Sequence, residues 1–201
     1  MFDFIVILLV GVLLLFAVYT AVQSLGKFPE RTFNDVTPFL RPADPQELES
    51  LLNPSQEVNF RLRMPDQEFA DWQRKRLHRM REYLLRMSHN ALVLIEWGNM
   101  EATKNEGGEA ARCSERRQMA QELVQAATEF RLYSMLALAK ITAWLILPSP
   151  LKFLLPSPSL PALRNVFGID ALGSYERLKS AAGGLSLAYD LNFHEDLIGR
   201  L

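Results

Sequence analysis

The chain has 201 residues, with 22 Lys and Arg, 23 Asp and Glu, and one cysteine. The formal net charge of −1 excludes a global electrostatic attraction to nucleic acid or acidic substrates, and one cysteine excludes an intrachain disulfide. The length suits a single domain behind an N-terminal segment.

The first predicted element is an apolar N-terminal helix, because no charged residue occurs in the nineteen positions from Phe4 to Val22. At about 1.5 Å per residue such a helix is about 28 Å long, close to the ~30 Å hydrocarbon core of a bilayer. The alternative is a cleaved signal peptide, which needs a basic start, whereas the only charged side chain before this run is Asp3. We therefore expect a single-pass transmembrane anchor over residues 1–27.

The charges that follow this segment predict its orientation. Lys27, Arg31 and Arg41 lie after the apolar run, and no Lys or Arg lies before it. Short-loop Lys and Arg favour the cytoplasmic side, so we expect the N-terminus outside and the body in the cytoplasm.

Proline placement divides the body of the chain. Six prolines fall between Pro29 and Pro65, and residues 28–65 are predicted to be a Pro-rich connector. Within it, an N-cap and a Pro at the first helical position predict a short helix over residues 44–52. The alternation of apolar Val58, Phe60, Leu62 and Met64 with polar residues indicates a short β-strand.

Residues 66–147 contain no proline and are predicted to form a long helical hairpin. The Gly107-Gly108 pair in a polar run marks the turn, with helices of about 65–102 and 109–147 on either side. Apolar positions spaced by three and four predict the facing seams. They are Leu77, Met80, Leu84, Met87, Ala91 and Leu94 in the first arm, and Ala120, Leu123, Ala127, Phe130, Ser134, Ala137, Ile141 and Trp144 in the second.

A second Pro-rich segment, residues 148–161, separates the hairpin from a helical C-terminal segment, residues 162–201. Short helices are expected over 161–166 and 170–182. Alternation from Leu185 to Phe193 suits a second short strand, although Leu187, Leu191, Ile198 and Leu201 also fit one helix face. The predicted fold class is mainly α: a transmembrane helix, a long antiparallel hairpin, short flanking helices, and one or two short strands as an option.

The first arm of the hairpin carries a basic stretch that is the principal candidate site. It holds Arg74, Lys75, Arg76, Arg79, Arg81 and Arg86 against the single acid Glu82. Close to a bilayer, these charges suit contact with anionic lipid headgroups. The alternative is a solvated helix face with local ion pairs. Nucleic acid is not expected as a partner, because no aromatic stacking platform accompanies the charges.

The second arm ends in the apolar run from Leu132 to Leu147. It is short for a membrane span, and Lys140 at its centre opposes insertion by about 2.5–3.5 kcal/mol. A buried helix end is favoured. A helix end that rests on the membrane surface is the alternative.

Two side chains carry groups capable of acid–base or nucleophilic chemistry. Glu96, within an apolar run, is a candidate buried carboxylate that could act as an acid or base, although pairing with Arg112, Arg116 or Arg117 of the facing arm is favoured. Cys113 lies beside Arg112 and Arg116 but has no neighbouring base, so it reads as an ordinary thiol. The three histidines show no metal-ligand spacing, and no metal site, cofactor or catalytic residue is predicted.

The sequence therefore favours a non-enzymatic role. The leading hypothesis is a single-pass membrane-anchored helical scaffold of a membrane-associated complex, whose partners are the membrane and other subunits or a second copy of the chain. One alternative is a membrane-tethered enzyme acting on an anionic or lipid substrate. The other is a peripheral module that binds anionic lipid.

Overall fold

The structure, a computed structural model, describes residues 35–43, 47, 50–51, 54–104, 110–146, 165–166 and 169–201. A 3₁₀ turn at Thr37–Phe39 precedes five helices: α1 (Pro54–Arg63), α2 (Asp66–Thr103), α3 (Ala110–Ile146), α4 (Ala171–Ser186) and α5 (Leu191–Arg200). The mainly helical fold class is confirmed for this part of the chain. Asn165–Val166 (β1) and Ile169–Asp170 (β2) form a two-residue antiparallel pair.

Helices α2 and α3 pack against each other along their length as an antiparallel hairpin. Their ends lie within one residue of the predicted ones, because no proline interrupts either arm. Every residue predicted to lie in the two seams is buried. The one polar member, Ser134, donates a hydrogen bond from its hydroxyl to the carbonyl oxygen of Phe130 at 2.8 Å, which satisfies a polar group in an apolar seam.

The core divides into two clusters along the hairpin. In the half nearer the chain reversal, α4 and α5 cover the hairpin, so Trp97, Leu123 and Phe130 pack with Tyr175 and other side chains of the C-terminal helices. The other half has a smaller core made by Leu77, Met80, Leu84, Tyr133, Ala137, Leu138, Ile141 and Trp144. The open end of the hairpin therefore has fewer covering layers than the closed end.

Asn90 of α2 fixes the start of the described connector to the hairpin. The Arg41 backbone N–H donates to Asn90 Oδ1 at 2.8 Å, and Asn90 Nδ2 donates to the Arg41 carbonyl at 2.8 Å. The Asn90 amide thus pairs with the backbone as a neighbouring strand would. It brings Val36, Leu40 and Ala43 into the core.

From Asn90 the connector runs antiparallel to α2, towards its N-terminus. Glu47 accepts a hydrogen bond from Tyr83, and further along the Leu51 carbonyl accepts one from Arg76. At the far end the Phe60 ring lies 4.8 Å from the Trp72 ring. The described part of the predicted connector therefore packs on the first arm as an additional layer.

We expect Asn90→Leu to release residues 35–43 from the hairpin. The substitution keeps the branching of the side chain but removes two hydrogen bonds worth about 1 kcal/mol each, which corresponds to roughly 30-fold faster amide exchange in that segment. Hydrogen exchange with mass spectrometry measures this. Asn99→Leu on the exposed side of the same helix is the matched control, and equal exchange in both variants would contradict the role of Asn90.

The predicted strand over residues 58–64 is wrong, because α1 occupies this stretch. Pro54 begins the helix and Glu57 lies in its first turn, both of which favour a helix start. The apolar residues of the alternating pattern do not share a buried face: Val58 is 58% exposed and Leu62 is 80% exposed, whereas Phe60 packs on Trp72.

The second strand option, from Leu185 to Phe193, is also wrong. Helix α4 continues to Ser186, and α5 begins at Leu191 behind the N-cap Asp190, whose carboxylate accepts a hydrogen bond from the Asn192 N–H. The helical alternative is correct for α5, but the predicted helix face is wrong. Leu187 and Leu191 are exposed, while Leu197 and Leu201 are buried.

Several predictions fall outside the described residues. They are the transmembrane segment Phe4–Val22, the Gly107-Gly108 turn and the Pro-rich segment 148–161. Among the residues that the structure describes, no helix combines the length and the apolarity needed to cross a membrane.

Candidate functional site

The six basic residues of the predicted site lie on three sides of α2. Arg74 and Arg81 are seven residues apart, about two turns, and share the flank next to the end of α3. Lys75, Arg79 and Arg86 are spaced by four and seven residues and lie on another exposed side of α2. The stretch is therefore not one continuous basic surface.

Arg76 does not belong to the exposed basic surface and corrects the prediction at that position. It is 7% exposed, and its Nε donates to the Leu51 carbonyl at 2.6 Å while Nη1 pairs with Glu57 at 3.3 Å. Its guanidinium also lies over the Trp72 ring, 5.1 Å from the centroid. Burial lowers the pKa of Arg76, and Glu57 opposes that shift. Arg76 thus fastens the connector to the hairpin.

The flank with Arg74 and Arg81 borders a surface groove of about 420 Å³ between the two arms. Arg74, His78 and Arg81 line one wall from α2, and Thr142, Leu145 and Ile146 line the other from α3. The groove joins cations to apolar side chains at the open end of the hairpin. Such a surface suits a ligand with an anionic group next to a hydrocarbon chain.

Glu96, the carboxylate chosen from sequence, is half-buried on α2. Its charge acts on Arg131 of the facing helix: burial lowers the pKa of Arg131, and Glu96 opposes that shift. Arg131 belongs to the facing arm but is not among the three arginines predicted as partners. Of those three, Arg116 forms an ion pair with Glu101.

Glu101 is the fully buried carboxylate of the described chain, and sequence reasoning missed it. Its side chain is 0% exposed and forms ion pairs with Lys104 at 2.7 Å and Arg116 at 3.0 Å. The Arg116 guanidinium lies 4.4 Å from the ring centroid of Tyr189, which covers the cluster from the C-terminal side together with Phe193. A signal was present, because Leu94, Gly98 and Glu101 continue the three-four spacing of the seam.

The buried Tyr175 and the half-buried Tyr189 flank this half of the core. Burial raises the pKa of Tyr175, whose hydroxyl donates to the Leu201 carbonyl, while the Asn90 amide opposes the shift. Burial and then hydrogen bonding with Glu101 raise the pKa of Tyr189, while Arg116 lowers it. Both phenols are therefore held in the neutral form in the folded chain.

We expect the folded state to lose stability above about pH 10. A tyrosine whose pKa is raised by folding contributes fully below its unfolded pKa of about 10, and this contribution declines as the pH rises because the unfolded chain releases the proton more easily. Urea unfolding from neutral to alkaline pH measures the slope. The Tyr175→Phe/Tyr189→Phe double variant has no phenol to ionise at these positions and should show a smaller alkaline loss. An unchanged slope would contradict the expectation.

A Ser186–His194 pair joins α4 to α5, with Ser186 Oγ 2.8 Å from His194 Nδ1. The geometry resembles a nucleophile and its base, but the Ser186 hydroxyl donates to the Gly183 carbonyl at 2.8 Å. A hydroxyl has a single proton, so His194 donates to Ser186 rather than accepting from it. Ser186 is also fully buried. The pair caps the end of α4 and is not arranged for nucleophilic attack.

Two other surface grooves are lined partly by carboxylates. A groove of about 480 Å³ between α3 and α4 includes Glu122 and Glu129, and one of about 910 Å³ beside α5 includes Asp190, Glu195 and Asp196. Glu96 lines none of the three grooves. No group of three His, Cys, Asp or Glu side chains suited to a metal ion occurs among the described residues. The Cys113 side chain lies outside them.

No family model, no curated protein and no solved structure matches this chain.

Proposed function

We propose that the protein is a single-pass membrane-anchored helical scaffold, with Phe4–Val22 as the anchor and the helical bundle as the interacting body. The observation that carries this proposal is the docked connector. Its first described residues enter the core, and Asn90 and Arg76 hold its backbone on α2. The bundle is thus firmly attached to the chain that follows the apolar segment, as a membrane-tethered scaffold requires.

Exposed apolar side chains on the hairpin support a role in binding partners. On α3, Leu132 is 53% exposed and Ile146 is 75% exposed. They lie fourteen residues apart, nearly four helical turns, and so share one side of the helix. We propose this side of α3 as the side that contacts a partner. The partners we propose are the membrane and either other subunits or a second copy of the chain.

Extraction of membranes with alkaline carbonate tests the anchor. We expect the full chain to remain in the membrane pellet, and the Leu13→Arg/Leu14→Arg variant to be released, because each Arg near the centre of a span costs about 2.5–3.5 kcal/mol. Leu187→Arg/Leu191→Arg, which changes two exposed leucines of the body, is the matched control and should stay in the pellet. Release of the unmodified chain would refute the anchor.

Two further measurements test the remaining parts of the proposal. A reporter fused after Leu201 should locate the body in the cytoplasm, as Lys27, Arg31 and Arg41 predict.

Cross-linking in mild detergent should link the protein to a second copy of the chain or to co-purifying subunits. A strictly monomeric product would exclude a second copy as the partner.

The lipid-binding alternative has a specific observation in its favour, the mixed basic and apolar groove at the open end of the hairpin. It is compatible with the anchored scaffold. The enzyme alternative gains no comparable support from the described residues, since neither Glu96 nor the Ser186–His194 pair is arranged for catalysis.

A further inference from the structure

The groove between Arg74, Arg81 and Ile146 has a basic wall and an apolar wall, which match the anionic headgroup and the acyl chains of a phospholipid. The α2 wall carries two permanently charged guanidiniums, which match an anionic phosphate in charge and in hydrogen-bond geometry. The α3 wall carries Leu145 and Ile146. One ligand can therefore contact cations and apolar groups at the same time.

The two arginines of the groove have no internal partner in the part of the chain that the structure describes: neither Arg74 nor Arg81 lies within ion-pair distance of a carboxylate there. Arg76, on the opposite flank, forms an ion pair with Glu57 and a hydrogen bond with the Leu51 carbonyl. Within the basic stretch of α2, the charges available to an external anion at this end of the hairpin thus belong to the groove flank and to the exposed side with Lys75 and Arg79.

A further exposed apolar side chain lies on the outer side of α3, beyond the groove. Ile146 is the most exposed apolar residue of this helix, and Leu132 lies nearly four turns back on the same side. The groove has cations on its α2 wall and apolar side chains on its α3 wall, a combination that suits the interface of a bilayer better than bulk water.

We propose that this groove seats the phosphate headgroup of an anionic phospholipid, with Arg74 and Arg81 on the phosphate and Leu145 and Ile146 in the acyl boundary. The inference rests on the proposed membrane anchor. The chain length permits it: the twelve residues between Val22 and Asp35 reach at most about 40 Å. The groove at His78 lies only about 18 Å along α2 from the connector at Asn90. The body then lies with the open end of its hairpin on the bilayer.

Photo-crosslinking of the full chain in nanodiscs tests the proposal. The probe is a phosphatidylserine with a photoreactive group near its headgroup, compared with the corresponding phosphatidylcholine, and labelled peptides are located by mass spectrometry. We expect phosphatidylserine to label residues 142–146 preferentially. At about 1 kcal/mol for each cation near an anionic surface, Arg74→Gln/Arg81→Gln should lower the docking constant about 30-fold, with a corresponding loss of labelling.

Lys75→Gln/Arg79→Gln is the matched control, because it removes the same charge from the same two turns of α2 but from the side away from the groove. It should retain most of the labelling. Equal losses in the two variants, or equal labelling by the two lipids, would overturn the groove as a headgroup site. If carbonate releases the unmodified chain, the anchor has failed. If the chain stays in the membrane but Arg74→Gln/Arg81→Gln is labelled as strongly as the unmodified chain, only this inference has failed.

Discussion

Glu101→Gln is expected to lower the free energy of unfolding by about 2 kcal/mol. Removal of one partner from a buried ion pair leaves its counter-charges without compensation and costs about 3–5 kcal/mol when they are fully buried. Lys104 and Arg116 are 32% and 21% exposed, so both regain some hydration and the cost is smaller. Urea unfolding followed by tryptophan fluorescence measures it, since Trp97 lies one turn away on the same helix.

Glu96→Gln is the matched control for this experiment, because it makes the same chemical change five residues earlier on α2. We expect a loss below about 1 kcal/mol there, since Glu96 is only half-buried. Arg116→Gln combined with Glu101→Gln should lose less than the two single variants together, as expected for residues in direct contact. A larger loss at Glu96 than at Glu101 would show that the buried cluster is not the stabilising one.

Gly98→Val should destabilise the hairpin by about 3 kcal/mol. A Cβ at Gly98 would lie 2.8 Å from Val124 Cγ2 and 3.1 Å from the Ala120 carbonyl oxygen, so the two arms would have to separate. Overpacking of this kind typically costs about 1–3 kcal/mol, and valine adds two methyl groups at the same point. Thermal unfolding should shift downwards by about 6–12 °C for a chain of this size.

Gly184→Val provides the control for the close approach of the two arms. No atom lies within 4 Å of a Cβ at Gly184, which is exposed on α4. Gly and Val differ by less than about 0.5 kcal/mol in helix propensity, so we expect almost no change in the midpoint. If the two glycine variants unfold at the same temperature, the contact at Gly98 does not limit the spacing of α2 and α3.

The hairpin was predictable because its information is local. An uninterrupted stretch without proline sets the lengths of both arms, and the three-four spacing sets which side is buried. The same spacing also runs through Gly98 and Glu101, but a search for apolar residues stops at Leu94. The seam therefore extends further than hydrophobicity alone indicates, and its last members are a glycine that permits close approach and a carboxylate that pairs across the interface.

The connector was not predictable, because its contacts join residues far apart in sequence. Nothing local marks Asn90 as the partner of Arg41, or Arg76 as the partner of Leu51 rather than one of six similar basic residues. The strand predicted from Val58 failed for a related reason. A period of two over seven residues is short enough to arise on a helix, and here two members of the apolar set, Val58 and Leu62, are exposed.

The antiparallel connector determines how the bundle would respond to force. A pull applied through Asp35 does not enter α2 at its N-terminus. It first reaches the buried segment held by Asn90, then the contact of Tyr83 and then that of Arg76. These contacts are then loaded one after another, in a peeling geometry, and not all at once, in a shear geometry. The first resistance of the molecule to tension from its N-terminal side thus comes from the docked residues 35–43, and not from the seam of the hairpin.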